Sequence, residues 1–251
     1  MNIAFYSGAS GMMAYQKDMD IIAHNIANVN TAGYKPQRGV FADLLYSRMA
    51  VNTEEDFLTG HGVRIADSDL LFRQGPINAT NNELDFAIIG DGFFAVEMIE
   101  TGTLAYTRSG VFGIGLENET DGYLVTGEGH FVLDADGERI EISRYENSDN
   151  LFDLSDLTER IGIYHIPNPF GLEPQGSSLY LLTAKSGEAE VMEEGDEDNP
   201  PYRVVQNALE NSAVELADEM VMVIQSQRAF QMSARLVQTA DELEEIVNNL
   251  R

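Results

Sequence analysis

The stretch that decides the fold is MMAYQKDMDIIAHNIANV, residues 12–29. Its apolar residues recur at intervals of three and four, which is the pattern of a helix with one face turned toward another helix. The residues of this face are Met12, Tyr15, Met19, Ile22, Ile26 and Val29. The spacing predicts a helix over about residues 3–29, about 40 Å long at about 1.5 Å per residue. A helix of this length with one apolar face needs a helical partner.

A second stretch with the same pattern lies near the other end of the chain. Its first row is Leu216, Met220, Val223, Gln227, Phe230, Ala234 and Val237, and its second row is Leu236, Ala240, Leu243, Val247 and Leu250. Because the two rows are offset, we expect a bend or a change of partner near Leu236. Ser212 followed by Glu215 has the form of a capping box and predicts that the helix begins there.

The residues between the two helices have the pattern of β-structure. From Val63 onward the apolar period is two, and Asp-Gly pairs at Asp91, Asp121 and Asp136 predict turns between short strands. The predicted strands include residues 86–89, 93–98, 123–126 and 131–133. The fold class is therefore α+β, with the N- and C-terminal helices paired as a coiled-coil module and a mainly antiparallel β middle domain. We expect a helical domain over residues 1–35 and 210–251, a connector over 36–62 and a β domain over 63–209.

Charge and composition exclude several classes of partner. The chain has 15 basic and 42 acidic residues and a net charge of −27. Nucleic acid and anionic membrane both require a positive face, so neither is an expected partner. No run of apolar residues is long enough to span a membrane. A secretory signal needs basic residues before an apolar stretch, whereas the first basic residue here is Lys17. We therefore expect no cleaved signal peptide and another export route.

The sequence does not single out catalytic, cofactor-binding or metal-binding residues. Asp134, Asp136 and Glu138 resemble part of a calcium loop, but the remaining ligand positions are missing, so a hairpin turn is expected. The acidic run over residues 193–198 is either a solvated loop or a weak cation site. The four histidines are far apart and make no zinc pattern. The many carboxylates leave open a secreted carboxylate hydrolase whose helices only oligomerise the β domain.

Polar residues at the helix ends suggest contacts that set helix register. Asn25 and Asn28 lie where asparagine either caps a helix locally or bonds to a neighbouring subunit. Gln227 and Arg228 interrupt an apolar row, and polar seam residues commonly fix register and partner number. The candidate assembly interface consists of Met12, Met19, Ile22, Asn25, Ile26, Asn28, Val29, Leu216, Met220, Val223, Gln227, Arg228 and Phe230.

The same stretches resemble the flagellar basal-body rod and hook family over the whole chain. Near the N-terminus the likeness lies in residues 10–12, 14, 20–23, 25–31 and 33–35. In the middle it lies in residues 60–63, 74–75, 80, 82, 84–85, 87–88, 90–94, 106–108, 110 and 112. Near the C-terminus it lies in residues 208–210, 212, 219–220, 224 and 227–230. The chain departs from the family pattern at Asn207, where glycine is usual, and at Ala213, where asparagine is usual. Both changes lie at the entry to the last helix.

The resemblance implies a non-enzymatic structural subunit of the flagellar rod that polymerises helically. It implies paired terminal helices as an inner domain and the β domain as an outer one. It also implies localisation in the basal body, unfolded export through the flagellar type III apparatus, and contacts with copies of itself and with other rod and hook axial proteins. A cap or adaptor at a rod junction is the alternative within this family.

Overall fold

The computed structural model describes residues 3–49, 57–116, 122–142, 154, 156–192 and 202–250. The chain folds into two compact units. The helical unit comprises residues 1–28, 36–71 and 214–251, and the β unit comprises residues 29–35 and 72–213. Within the described ranges, no helix has the length and hydropathy needed to cross a membrane.

The helical unit contains two long helices and a long β-hairpin. Helix α1 is Ile3–Ala27, and strands β1 (Gln37–Asp43), β2 (Tyr46–Met49), β3 (Phe57–Gly60) and β4 (Val63–Leu70) follow it. Strand β1 pairs antiparallel with β4, and β2 pairs antiparallel with β3. The Leu44 N–H donates to the Gly62 carbonyl at 2.9 Å, so the two pairs continue as one hairpin.

This hairpin differs from the sequence prediction for residues 36–62. The sequence predicts a connector there, whereas the structure forms β1, β2 and β3. The hairpin packs on α1, where the Phe41 and Tyr15 rings have centroids 5.5 Å apart. The strands were missed because their pairing partner, β4, was assigned to the β domain.

Among the described residues, the β unit contains a ten-stranded sheet and two smaller pairs, β6 with β17 and β5 with β18, all antiparallel. Its first strands are β5 (Ile77–Ala79), β6 (Phe86–Ile89), β7 (Phe93–Glu97), β8 (Leu104–Thr107), β9 (Phe112–Leu116), β10 (Gly122–Thr126), β11 (Phe131–Val132) and β12 (Glu141–Ile142). After the short helix α2 (Leu157–Arg160) come β13 (Ile163–His165), a 3-10 turn (Pro169–Gly171), β14 (Glu173–Gly176), β15 (Leu179–Leu181), β16 (Glu190–Val191), β17 (Arg203–Gln206) and β18 (Ala208–Glu210).

The core of the β unit lies on the central strands of the large sheet. Strands β7 and β8 pair side by side, with β11 and β15 beside them. Phe86, Phe94, Val96 and Leu124 are fully buried there. The turn predicted at Asp136 is confirmed, because Gly137 has a φ of +78° and the Gly137 N–H donates to the Asp134 carbonyl at 3.2 Å. The acidic run at 193–198 and the turn residue Asp121 lie outside the described residues.

Helix α3 (Leu216–Asn249) completes the helical unit and packs on α1. The predicted fold class is therefore confirmed. The predicted capping box is wrong, because the N-cap residue is Glu215 and its side chain makes no capping hydrogen bond. Residues before it are held extended in the β unit: the Ala213 N–H donates to the Tyr34 carbonyl, and the Ala213 carbonyl accepts from Arg73 at 2.8 Å.

Candidate assembly surface

The two long helices pair antiparallel through small and polar side chains. A Cβ at Gly8 would lie 2.8 Å from Cγ2 of Val237, and one at Gly11 would lie 2.9 Å from the hydroxyl of Ser233. The backbones approach so closely here that even a methyl group would force a shift. Two glycines therefore set the distance between the helices in this part of the pair.

Further along the pair, polar contacts fix the register of the helices. The Ser226 hydroxyl donates to the Asp18 carboxylate. The Asn25 amide lies 3.4 Å from both carboxylate oxygens of Glu219. The facing α3 residues Glu219, Ser226, Ser233 and Ala240 recur every seven residues, and so do Gly11, Asp18 and Asn25 on α1. This is a heptad register whose contact positions hold small and polar residues rather than large apolar ones.

Asn25 also forms hydrogen bonds between α1 and the hairpin. Its amide nitrogen donates to the Gln37 carbonyl at 2.8 Å, and its amide oxygen accepts from the Gln37 N–H at 2.9 Å. Asn28 instead donates to the His24 carbonyl at 2.9 Å, which is a local bond at the helix end. Of the two functions considered for these amides, Asn28 makes the local cap, whereas Asn25 bonds across the helical unit.

The structure divides the candidate interface residues into three groups by exposure. Ile22 and Asn25 are buried within the helical unit. Met12, Met19, Ile26, Asn28, Val29, Val223 and Phe230 are half-buried, and Leu216, Met220, Gln227 and Arg228 are exposed. The predicted α1 face is displaced by one position, since Gly11, Asp18 and Asn25 face α3 where the sequence suggested Met12, Met19 and Ile26. The apolar periodicity was real, but glycine and polar residues occupy the innermost positions.

The pairing with α1 leaves an apolar surface of α3 uncovered. Leu216, Met220 and Ile224 recur every four residues, and between 43% and 57% of each is exposed. Further along the helix, Met232, Leu236, Leu243, Ile246, Val247 and Leu250 are also exposed. An apolar surface of this extent on a folded unit is typical of a protein–protein contact.

A buried ion cluster in the β unit joins three segments that are far apart in sequence. The Lys35 ammonium lies 2.6 Å from one carboxylate oxygen of Glu210, and the Arg108 guanidinium lies 3.5 Å from the other. The first oxygen also accepts from the Gly75 N–H at 2.9 Å. Glu210 is fully buried, and burial lowers the pKa of Lys35 and of Arg108 although Glu210 opposes both shifts.

The cluster ties together the segments that follow α1 and precede α3 in the chain. The Gly33 N–H donates to the Glu210 carbonyl at 2.8 Å, and Gly33 has a left-handed φ of +68°, which favours glycine. Lys35, Arg108 and Glu210 each belong to a stretch that carries the family resemblance. Their roles as ion-cluster partners were missed because single-sequence patterns do not show which distant residues meet. We assign these residues to the folding of the β unit.

The β unit also has a cavity of about 320 Å³ lined by Lys35, Arg73 and Arg108 together with Phe93 and Asp91. Among the described residues, Asp91 is the only acidic residue that lines this cavity. Two-carboxylate glycoside hydrolysis needs two carboxyl groups across one site. The hydrolase alternative therefore finds no support at this cavity. The described residues also contain no group of three acidic or histidine side chains placed to hold a metal ion.

A pair of long helices with an uncovered apolar surface is the arrangement of a structural protein whose surface contacts other protein chains. Comparison with known proteins identifies the kind of structural protein. Three family models match: the flagellar basal body rod protein model at residues 5–35, the flagellar hook protein FlgE/F/G D1 domain at 87–158, and the flagellar basal body rod FlgEFG protein C-terminal model at 205–250.

Curated relatives match over nearly the whole chain. The flagellar basal-body rod protein FlgG of Borreliella burgdorferi is 36% identical over 99% of this chain and 98% of its own length. That of Bacillus subtilis is 34% identical over 98% of each chain. The flagellar hook protein FlgE of Helicobacter mustelae is 35% identical over 51% of this chain and 30% of its own length. The chain belongs to the flagellar basal-body rod protein family and is a structural component of the bacterial flagellar basal body.

Proposed function

We propose that the helical unit is the polymerisation module of the rod, and that copies of this chain join one another and other axial proteins through the exposed apolar surface of α3. The observation that carries the proposal is the run Leu216, Met220 and Ile224, whose side chains are exposed although α3 is already paired with α1. Burying apolar area releases about 25 cal/mol per Å². Because about half of each side chain is already buried, covering all three at one contact supplies roughly 2–5 kcal/mol, about half of the 1.5–3 kcal/mol for each fully buried residue.

The residues at the contact between the two helices differ from those on the outside of the pair, and this difference supports the proposal. Small and polar residues hold α1 against α3, and the large apolar residues lie on the outside. A contact between different patches on successive copies generates a helical filament when the rotation between copies does not close into a ring. The net charge of −27 is consistent with a chain that stays soluble until it assembles.

Export belongs to the same proposal. The family resemblance implies export through the flagellar type III apparatus, and we propose that this chain takes that route. The proposal assigns no enzymatic activity to the chain. A position at a rod junction, as a cap or adaptor, remains the alternative within the same family and is decided by where the chain lies in isolated basal bodies.

The test replaces exposed apolar residues of α3 without touching the pairing with α1. Met220→Glu and Ile224→Glu place a carboxylate on the exposed face, and Gln238→Glu adds the same charge at an exposed polar position of the same helix. We expect the first two variants to keep the circular dichroism and melting temperature of the purified chain, and to fail to build rods in cells. The control should build rods. Normal rods in both apolar variants would refute the proposal.

A further inference from the structure

Helix α3 is longer than its partner, and residues 241–250, which end with the C-cap residue Leu250, lie at and beyond the first residue of α1. The register that places Asn25 beside Glu219 and Gly11 beside Ser233 places Ile3, the first residue of α1, beside Asp241. Exposure follows the same boundary: Ala240 is 3% exposed, whereas every residue from 241 to 250 is exposed. We call residues 241–250 the α3 tail; at about 1.5 Å per residue it is about 15 Å long.

The α3 tail has one apolar face and an acidic border. Leu243, Ile246, Val247 and Leu250 have the spacing of a single helix face, and each is at least 56% exposed. The tail also contains Asp241, Glu242, Glu244 and Glu245 and no basic residue. These four carboxylates would be complemented by a partner surface that carries cations.

A groove with matching properties lies on the other side of α1. It has a volume of about 450 Å³ and is lined by apolar side chains of α1, β4 and the hairpin, including Met13, Leu44, Val63 and Ile65. Lys17 and Arg64 lie at its edges beside one acid, Asp20. Both cations are exposed, and neither makes an ion pair within the described residues.

The groove of a copy cannot hold that copy's own α3 tail. Met13 lies ten residues along α1 from Ile3, which is about 15 Å, and the tail extends in the opposite direction. The occupant must therefore come from another chain. A second copy of this protein offers an apolar face of suitable spacing and four acidic residues for two cations.

We propose that the α3 tail of one copy docks in the groove formed by Met13, Leu44 and Val63 of another copy, with Lys17 and Arg64 paired to acidic residues of the tail. This inference rests on the proposed polymerisation and adds which two patches meet. The two patches differ, so the contact is head-to-tail: the copy that gives its tail keeps a free groove, and the copy that gives its groove keeps a free tail. Such a contact propagates along a filament.

The absence of cysteine from the sequence makes a direct test possible. Two differently tagged versions of the full chain, one carrying Met13→Cys and the other Val247→Cys, are expressed together in the native bacterium, and isolated basal bodies are oxidised. We expect a disulfide-linked product that carries both tags. Because each cysteine is on a different chain, the product reports contact between copies.

The control replaces Val247→Cys with Met232→Cys. Met232 and Val247 are both 65% exposed on the same helix, so they differ in position and not in accessibility. The docked tail predicts at least tenfold more mixed product for position 247 than for position 232. Equal yields, or assembled rods with no mixed product from position 247, would overturn the inference while leaving the proposed polymerisation intact.

Charge reversal provides the second measurement. Lys17→Glu should lower the yield of mixed product from the Met13→Cys and Val247→Cys pair, and Glu245→Lys in the partner copy should restore it. An unchanged yield in Lys17→Glu would contradict the assigned charge pairing. If the wild-type chain is absent from rods, the proposed function itself fails and this inference fails with it.

Discussion

Removing the carboxylate of the buried ion cluster should destabilise the β unit strongly. Glu210→Gln leaves the Lys35 ammonium, which is 2% exposed, without the negative charge that now lies 2.6 Å away. It also removes the charge that faces Arg108 at 3.5 Å. Breaking a buried ion pair by removing one partner costs about 3–5 kcal/mol, because an uncompensated charge remains out of water. We expect a decrease of that size in the free energy of unfolding of the β unit.

The measurement is urea unfolding of the purified chain followed by tyrosine fluorescence, since the chain has 10 tyrosines and no tryptophan. A double-mutant cycle separates the ion pair from other losses. Lys35→Met combined with Glu210→Gln should be less destabilised than the sum of the two single variants, because the double variant leaves no buried ammonium. Lys185→Met, at an exposed lysine of the same unit, is the control and should change stability by less than about 0.5 kcal/mol.

A cost below about 1 kcal/mol for Glu210→Gln would refute this reasoning. So would strictly additive effects in the cycle, since they would show that Lys35 and Glu210 do not act on each other. The Arg108 guanidinium keeps its bonds to the Ile88 and Gly90 carbonyls in all these variants, which limits the loss to the carboxylate and its partner.

Three further predictions follow from the same contacts. Ile22→Asp places a carboxylate at a position that is 4% exposed, so hydrogen exchange should show lost protection in both long helices while the β unit stays protected; unchanged helix protection would contradict this. Arg228, exposed in the monomer, is predicted to set register between assembled copies, so its Lys and Met variants should both impair swimming with unchanged circular dichroism, and normal swimming of the Met variant would count against that role. Burial raises the pKa of Tyr106, Tyr164 and Tyr180 above the ordinary 10.0. The folded β unit therefore retains protons that the unfolded chain releases, and its stability should fall as pH rises above 10.5. The lowered pKa of Lys35 gives an opposite slope, which fades above 10.5 because the unfolded lysine is then losing its own proton. A β unit that becomes more stable between pH 10.5 and 11.5 would refute the assignment.

The sequence predicts the elements of this fold well where the pattern is local. The first helix was expected over residues 3–29 and is Ile3–Ala27, so the apolar period located its C-terminal end to within two residues. The strands at 86–89 and 123–126 were expected from their β-branched and aromatic residues and from the turns beside them. Those signals depend only on neighbours in the chain.

The face that each helix turns toward the other could not be predicted in the same way. The apolar period suggested Met12, Met19 and Ile26, whereas Gly11, Asp18 and Asn25 occupy the innermost positions. Glycine and polar residues carry no hydrophobic signal, so a heptad built from them is invisible to a pattern that counts apolar residues. A search for small residues at intervals of seven would have found it.

The start of the second helix was missed for a related reason. Ser212 and Glu215 match a capping box, but two hydrogen bonds of Ala213 hold the chain before Glu215 extended. The Ala213 N–H donates to the Tyr34 carbonyl, and the Ala213 carbonyl accepts from the Arg73 side chain. A local motif was overridden by contacts with residues about 140–180 positions away in sequence. The Lys35–Glu210 pair escaped prediction because it likewise depends on distant segments meeting.

Electron cryomicroscopy of basal bodies isolated from the native bacterium tests the central claim most directly. The account predicts that this chain lies in the rod and that Leu216, Met220 and Ile224 of each copy are covered by neighbouring chains. A rod without this chain would contradict it. A rod in which these three side chains still face solvent would show that the exposed surface of α3 does not hold the assembly together.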